Sequence, residues 1–152
     1  MEVCILVVCW LMVLRCAGDY GYLVEGELFI TGRKKDLIIV GGKNIYPQDL
    51  ELLAYEVPGV HAGRASAFGV FNETSGTEDV VLVAEVDSSE QAEQQKIADG
   101  IRAAVTRGSA VALRYVHLVG KHWLVKTSSG KTARSANREK FLKEMQEKGQ
   151  EY

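Results

Sequence analysis

The chain has 152 residues, of which 47% are hydrophobic and 25% charged, and its formal net charge is −2. That length fits one domain able to bury a sizeable core. The near-neutral balance argues against a general nucleic-acid binder. The three cysteines (Cys4, Cys9, Cys16) all lie in the first sixteen residues, which argues against a disulfide framework and against a zinc site.

Residues 1–17, MEVCILVVCWLMVLRCA, are almost wholly apolar. The run is shorter than the ~20 residues a spanning helix needs. It has the length of a signal-peptide core, with Ala17-Gly18 as a small-residue junction, but it lacks a basic leading region. A cleaved signal, a membrane-associating segment and an irregular start left over from a longer protein all stay open, and the irregular start fits best.

Tyr20 to Thr31 predicts a hairpin turning at Glu25-Gly26. The stretch Gly32 to Glu51, GRKKDLIIVGGKNIYPQDLE, then joins four devices. A cationic turn (Arg33, Lys34, Lys35) is followed by an apolar strand over residues 36–40. Gly41-Gly42 permits a sharp reversal or a close backbone approach to a ligand. Pro47 opens a helix to about Glu56, with Asp49 and Glu51 in its first turn. Val57-Pro58-Gly59 stops that helix. Val60 to Val70 predicts a strand, Asn72 to Asp79 a polar loop, and Val80 to Val86 (VVLVAEV) the strongest strand of the chain. A helix from Ser88 to about Arg107 comes next, with Gly108 marking its end. Leu113 to Val119 predicts a strand, Lys121 to Lys131 a loop, and Arg134 to Lys148 a charged helix. The order β-α-β-β-α-β-α predicts an α+β domain, a small sheet flanked by helices and preceded by a β-hairpin.

Charge is uneven along this order. Residues 73–93 hold seven acids and no Lys or Arg, whereas residues 121–152 hold eight basic side chains against four acidic ones. The basic end suits an anionic ligand or a solvated surface. Within it, KTSSGK (Lys126 to Lys131) places a lysine in a Ser/Gly loop. A phosphate-binding P-loop also requires a glycine at position 125, where Val125 stands, and a helix directly after the lysine, so that reading fails. His61, His117 and His122 are scattered without metal-ligand spacing and read as structural, and Trp123 reads as a packing anchor for the loop before Lys131.

Taken together, Gly18-Asp19, GRKKDLIIVGGKNIYPQDLE and KTSSGK resemble, in order and spacing, the C-terminal region of the adenylate-forming superfamily: acyl-CoA synthetases, fatty-acyl-AMP ligases, luciferases and peptide-synthetase adenylation domains. The resemblance covers nearly everything from Gly18 onward. YPQDLE and the KTSSGKTARSANREKFL ending are most similar to fatty-acyl-AMP ligases. After the apolar irregular segment 1–17, the resemblance implies a hairpin and hinge approach at 18–34 that ends the large domain, and a C-terminal lid domain at 35–152. It implies that Asp19 binds the ribose hydroxyls of ATP and that Arg33 contacts ribose and phosphate. It makes Lys35 the hinge, Gly41 and Gly42 the loop facing the thiol acceptor, and Lys131 the catalytic lysine of adenylate formation. No residue is assigned to a metal. Three features depart from the pattern: Arg15-Cys16-Ala17 precedes Gly18, Val125 replaces a common proline, and Ile39 stands where some relatives carry a second lysine.

By this resemblance the chain is expected to be the C-terminal part of a cytoplasmic, ATP-dependent fatty-acyl-AMP ligase. Such an enzyme activates a fatty acid for transfer to a carrier-protein thiol. The chain is expected to be inactive alone, because the large N-terminal domain with its Mg²⁺ site is absent from these residues. The alternatives are an acyl-CoA synthetase lid, with CoA as acceptor, or a non-catalytic module docking on a separate large domain or an acyl carrier protein.

Overall fold

The computed structural model describes residues 3–7, 15–25, 27–109 and 111–149. They fall into two units, residues 1–37 and 38–152. In the first, β1 (Val3–Val7), β2 (Arg15–Val24) and β3 (Glu27–Arg33) form an antiparallel sheet in the order β1-β2-β3. The predicted hairpin is therefore present. Glu25 takes the left-handed φ of its turn (51°), while Gly26 lies outside the described residues. An irregular start was expected for residues 1–17. Residues 1–2 and 8–14 of that segment lie outside the described residues; of the rest, Val3–Val7 is a strand paired to β2 (Val3 opposite Gly21, Val7 opposite Arg15), and β2 begins at Arg15. An apolar, β-branched stretch has a ready place along the free edge of a hairpin, whose unpaired backbone groups accept another strand. A single 3-10 turn, Lys34–Asp36, comes after β3.

The second unit holds the core. β4 (Ile38–Val40) and β5 (Lys43–Ile45) form a small hairpin, and α1 (Pro47–Tyr55) carries Pro47 in its first turn as expected. β6 (Val60–Asn72), β7 (Thr77–Val86) and β8 (Tyr115–Val119) make the main sheet, β6 antiparallel and β8 parallel to β7. The parallel pair requires a long crossover, which α2 (Gln91–Ser109) supplies. α3 (Arg134–Glu147) ends the described fold.

Strand alternation sends β7 residues to two apolar faces, which is why VVLVAEV is apolar at every position but Glu85. Val80, Leu82, Ala84 and Val86 join Leu50 and Ala54 of α1 and Ile97, Ile101 and Val105 of α2. Val81 and Val83 join Phe68, Leu124 and the α3 side chains Phe141 and Met145. The result is the expected α+β domain, with helices on both faces of a small mixed sheet. Gly108 does not end α2 as expected. It lies within the last turn, where a Cβ would come within 2.4 Å of Leu53, so the glycine admits close packing of α1 on α2. Among the described residues no helix is long and apolar enough to cross a membrane.

Candidate functional site

In the first unit, Asp19 of β2 and Arg33 of β3 are cross-strand partners. The Arg33 Nε lies 3.7 Å from the Asp19 Oδ1, and the guanidinium is largely exposed. Gly18, Asp19, Arg33, Lys34 and Lys35 line one open cleft of about 430 Å³. Gly18 has φ +67°, a conformation that disfavours other residues. The cleft combines one carboxylate with three cations. Its chemistry suits a ligand carrying hydroxyl donors at one end and negative charge at the other. Three of the residues singled out from sequence, Asp19, Arg33 and Lys35, are thus brought together, and Lys35 sits in the 3-10 turn close to the end of the unit.

Gly41 and Gly42 belong to the second unit, as the two-residue turn between Val40 and its partner Lys43. Both have positive φ, 54° and 78°, the geometry of a hairpin turn matched to strand twist. The turn is tied down by β7. The Thr77 hydroxyl donates to the Ile39 carbonyl (3.1 Å) and accepts from the Gly41 N–H (2.9 Å). The Glu78 carboxylate accepts from the Ile39 N–H at 2.6 Å. Glu78 reaches it over Gly69, where a Cβ would lie 2.7 Å from the carboxyl group. Neither Thr77 nor Glu78 was anticipated, because the polar segment around them carries no local signal beyond that of a loop.

Lys131 is exposed and closes a tight hairpin. Lys126 bridges Thr132, and the Thr127 N–H donates to the Lys131 carbonyl (2.8 Å). The Lys131 N–H donates to the Thr127 hydroxyl (3.2 Å), which also contacts Ser129. Gly130 takes φ +78°. The Ser, Thr and Gly content of KTSSGK thus folds the loop on itself and leaves Lys131 exposed.

Buried polar groups hold the root of this hairpin. The Leu124 N–H donates to Glu85 (2.8 Å), whose other oxygen accepts from Arg64 (2.7 Å). Asn137 accepts from the Val125 N–H (2.7 Å) and donates to the Val125 carbonyl (3.1 Å). Trp123 donates to Glu144 (2.7 Å) and lies under the Lys140 ammonium, 4.3 Å from the ring centre, so the expected packing anchor is present. Just past the hairpin, Arg134 makes a two-bond pair with buried Glu51 of α1 (2.8 and 2.7 Å), and Glu51 also accepts from the Ala67 N–H. Two of these groups left a signal in the sequence. Glu85 is an acid inside an apolar strand, and Asn137 stands on the apolar stripe of Phe141 and Met145. Among the described residues no group of three or more His, Cys, Asp or Glu side chains is gathered as a metal site.

No family model matches the chain. Curated relatives do. A medium-chain-fatty-acid–[acyl-carrier-protein] ligase, JamA, of Moorena producens is 43% identical over 128 residues, covering 82% of this chain and 21% of that protein. The long-chain-fatty-acid–AMP ligase FadD32 of Mycobacterium marinum is 38% identical over 145 residues, with 82% and 23% covered. Among solved structures, the McyG A-PCP complex with phenylalanyl-adenylate matches at TM-score 0.75 and 35% identity, over 84% of this chain and 23% of that one. A structure of fatty acyl-adenylate ligases from E. coli and L. pneumophila matches at TM-score 0.73 and 33% identity, over 87% and 23%. The chain therefore spans about a fifth of the length of the curated relatives it matches, and the matched portion is their C-terminal part. With this fold and these matches, the chain belongs to the adenylate-forming superfamily and corresponds to the C-terminal domain of its fatty-acyl-AMP ligases and acyl-CoA synthetases.

Proposed function

We propose that the chain works as the C-terminal part of an ATP-dependent fatty-acyl-AMP ligase. A fatty-acid carboxylate attacks the α-phosphorus of ATP, pyrophosphate leaves, and the acyl group then passes from AMP to the thiol of an acyl carrier protein. The observation that carries the reading is Lys131, exposed on a hairpin whose root is clamped by buried side chains. Its ammonium would neutralise charge gathering between the carboxylate and the α-phosphate, where a fixed cation in a water-poor site is worth most. Asp19 and Arg33 fit the nucleotide in kind: a carboxylate accepts from ribose hydroxyls, and the guanidinium beside it meets ribose and phosphate oxygens. Lys35 serves as hinge, next to the end of the first unit. The Gly41-Gly42 turn, with no side chain in the way, faces the arm of the incoming thiol. The proposal leaves Mg²⁺ to a large domain outside these residues and takes the reaction to be cytoplasmic.

The carrier-protein acceptor is favoured by the relative named for one. The acyl-CoA reading is supported by a relative from Caulobacter vibrioides named as an acyl-CoA synthetase, 36% identical over 126 residues. The test is to join residues 18–152 to the large domain of a fatty-acyl-AMP ligase in place of that enzyme's own C-terminal part. Acyl-AMP formation from fatty acid and ATP is expected from the joined protein and not from the 152-residue chain alone. An inactive joined protein that folds, or activity of the isolated chain, would contradict the proposal.

A further inference from the structure

We infer that Asn137 is a positioning residue for Lys131: its buried amide holds the root of the KTSSGK hairpin and so fixes where the lysine projects. Asn137, Phe141 and Met145 share one helix stripe at four-residue spacing, and the latter two are core side chains. An apolar residue at 137 would suit that stripe. Instead an amide is buried there completely, at 0% exposure. Burying an amide is costly unless it is hydrogen-bonded, and its side-chain bonds go to the two backbone groups of one residue, Val125. The amide thereby imitates a neighbouring strand. It gives Val125 an ordered N–H and C=O at the point where β8 has ended and no sheet is left to fix the backbone.

The neighbours of Val125 are fixed in the same way. The Lys140 ammonium donates to the Trp123 carbonyl (2.8 Å), Glu85 takes the Leu124 N–H, and the Ala133 N–H returns to the Val125 carbonyl (3.0 Å). Consecutive backbone groups entering the hairpin are thus held from outside, while the hydrogen bonds found at the hairpin tip among the described residues are its own. The chain could have set φ at 125 with a proline, but a proline has no N–H for Asn137 to accept.

The inference rests on reading Lys131 as the catalytic lysine only for its consequence. It is tested without substrate, so its failure and that reading's failure are separable. Amide hydrogen exchange and ¹⁵N heteronuclear relaxation are measured on the 152-residue chain and on Asn137→Leu. The Thr127 and Lys131 amides, which do not touch Asn137, are expected to exchange on the order of tenfold faster, with a lower heteronuclear effect at Lys131. The amides of Leu82 and Val83 in β7 keep their rates. Unchanged hairpin amides, or hairpin and β7 amides accelerating together, would overturn the inference. If Asn137→Leu fails to fold, Lys140→Met carries the test, with roughly threefold acceleration expected at the same hairpin amides and none in β7.

Discussion

Glu51 and Arg134 stand 83 positions apart, yet their two hydrogen bonds join α1 to the start of α3. Because the pair is largely buried, removing one partner would strand a charge, a loss of about 3–5 kcal/mol. Glu85 and Asn137 obey the same rule, each buried and each satisfied by backbone or a cation. Ser66 breaks it. Its hydroxyl is buried in β6 without a hydrogen-bond partner among the described residues. Ser66→Ala is therefore expected to raise stability by about 1 kcal/mol, read as a higher urea midpoint at unchanged m value. A lower midpoint would mean that the hydroxyl contributes to the fold. The partners of these buried groups were not legible in the sequence, since a pairing across 83 residues leaves no local pattern. The roles proposed for Asp19, Arg33 and Lys131 come from short motifs whose spacing carries the family resemblance.

Elements were legible where period and punctuation agreed. Pro47 opened α1, and the apolar VVLVAEV run gave β7. β5 was missed because Lys43–Ile45 has only three residues and no apolar alternation; the Gly41-Gly42 turn was its one trace. Gly108 was misread because a packing glycine and a capping glycine look alike in sequence. β8 and α3 meet through His117, whose ring lies edge-on to Trp123 and Phe141. Burial first, and the Lys148 charge second, hold its pKa below the ordinary 6.5, while Glu144 at 3.6 Å opposes them. The unfolded chain then takes up the proton first. His117 therefore adds no pH dependence above about 6.5, and stability is lost as pH falls through 6.5 toward the lower folded-state pKa. Urea midpoints measured from about pH 7.5 down to about pH 5 are expected to fall more steeply for the natural chain than for His117→Phe. Parallel curves would show that the ring is solvated in both protonation states.

At the scale of the whole molecule, the candidate groups divide between the two units. The Asp19–Arg33 cleft belongs to the first, and the Lys131 hairpin and Gly41-Gly42 turn to the second. The relatives are about five times longer than the portion matched, and the proposal leaves the rest of the nucleotide site and the acyl pocket to a large domain of the kind they carry. Within the second unit, the proposal assigns Lys131 to adenylation and the glycine turn to thiol transfer. The most direct test separates these half-reactions in the protein joined to a large domain. Lys131→Ala is expected to lose acyl-AMP formation by at least about 100-fold and still transfer the acyl group from supplied acyl-AMP. Gly42→Val, strained by a β-branched side chain at positive φ, is expected to do the reverse. Loss of both half-reactions in each variant, or of neither in Lys131→Ala, would contradict the account.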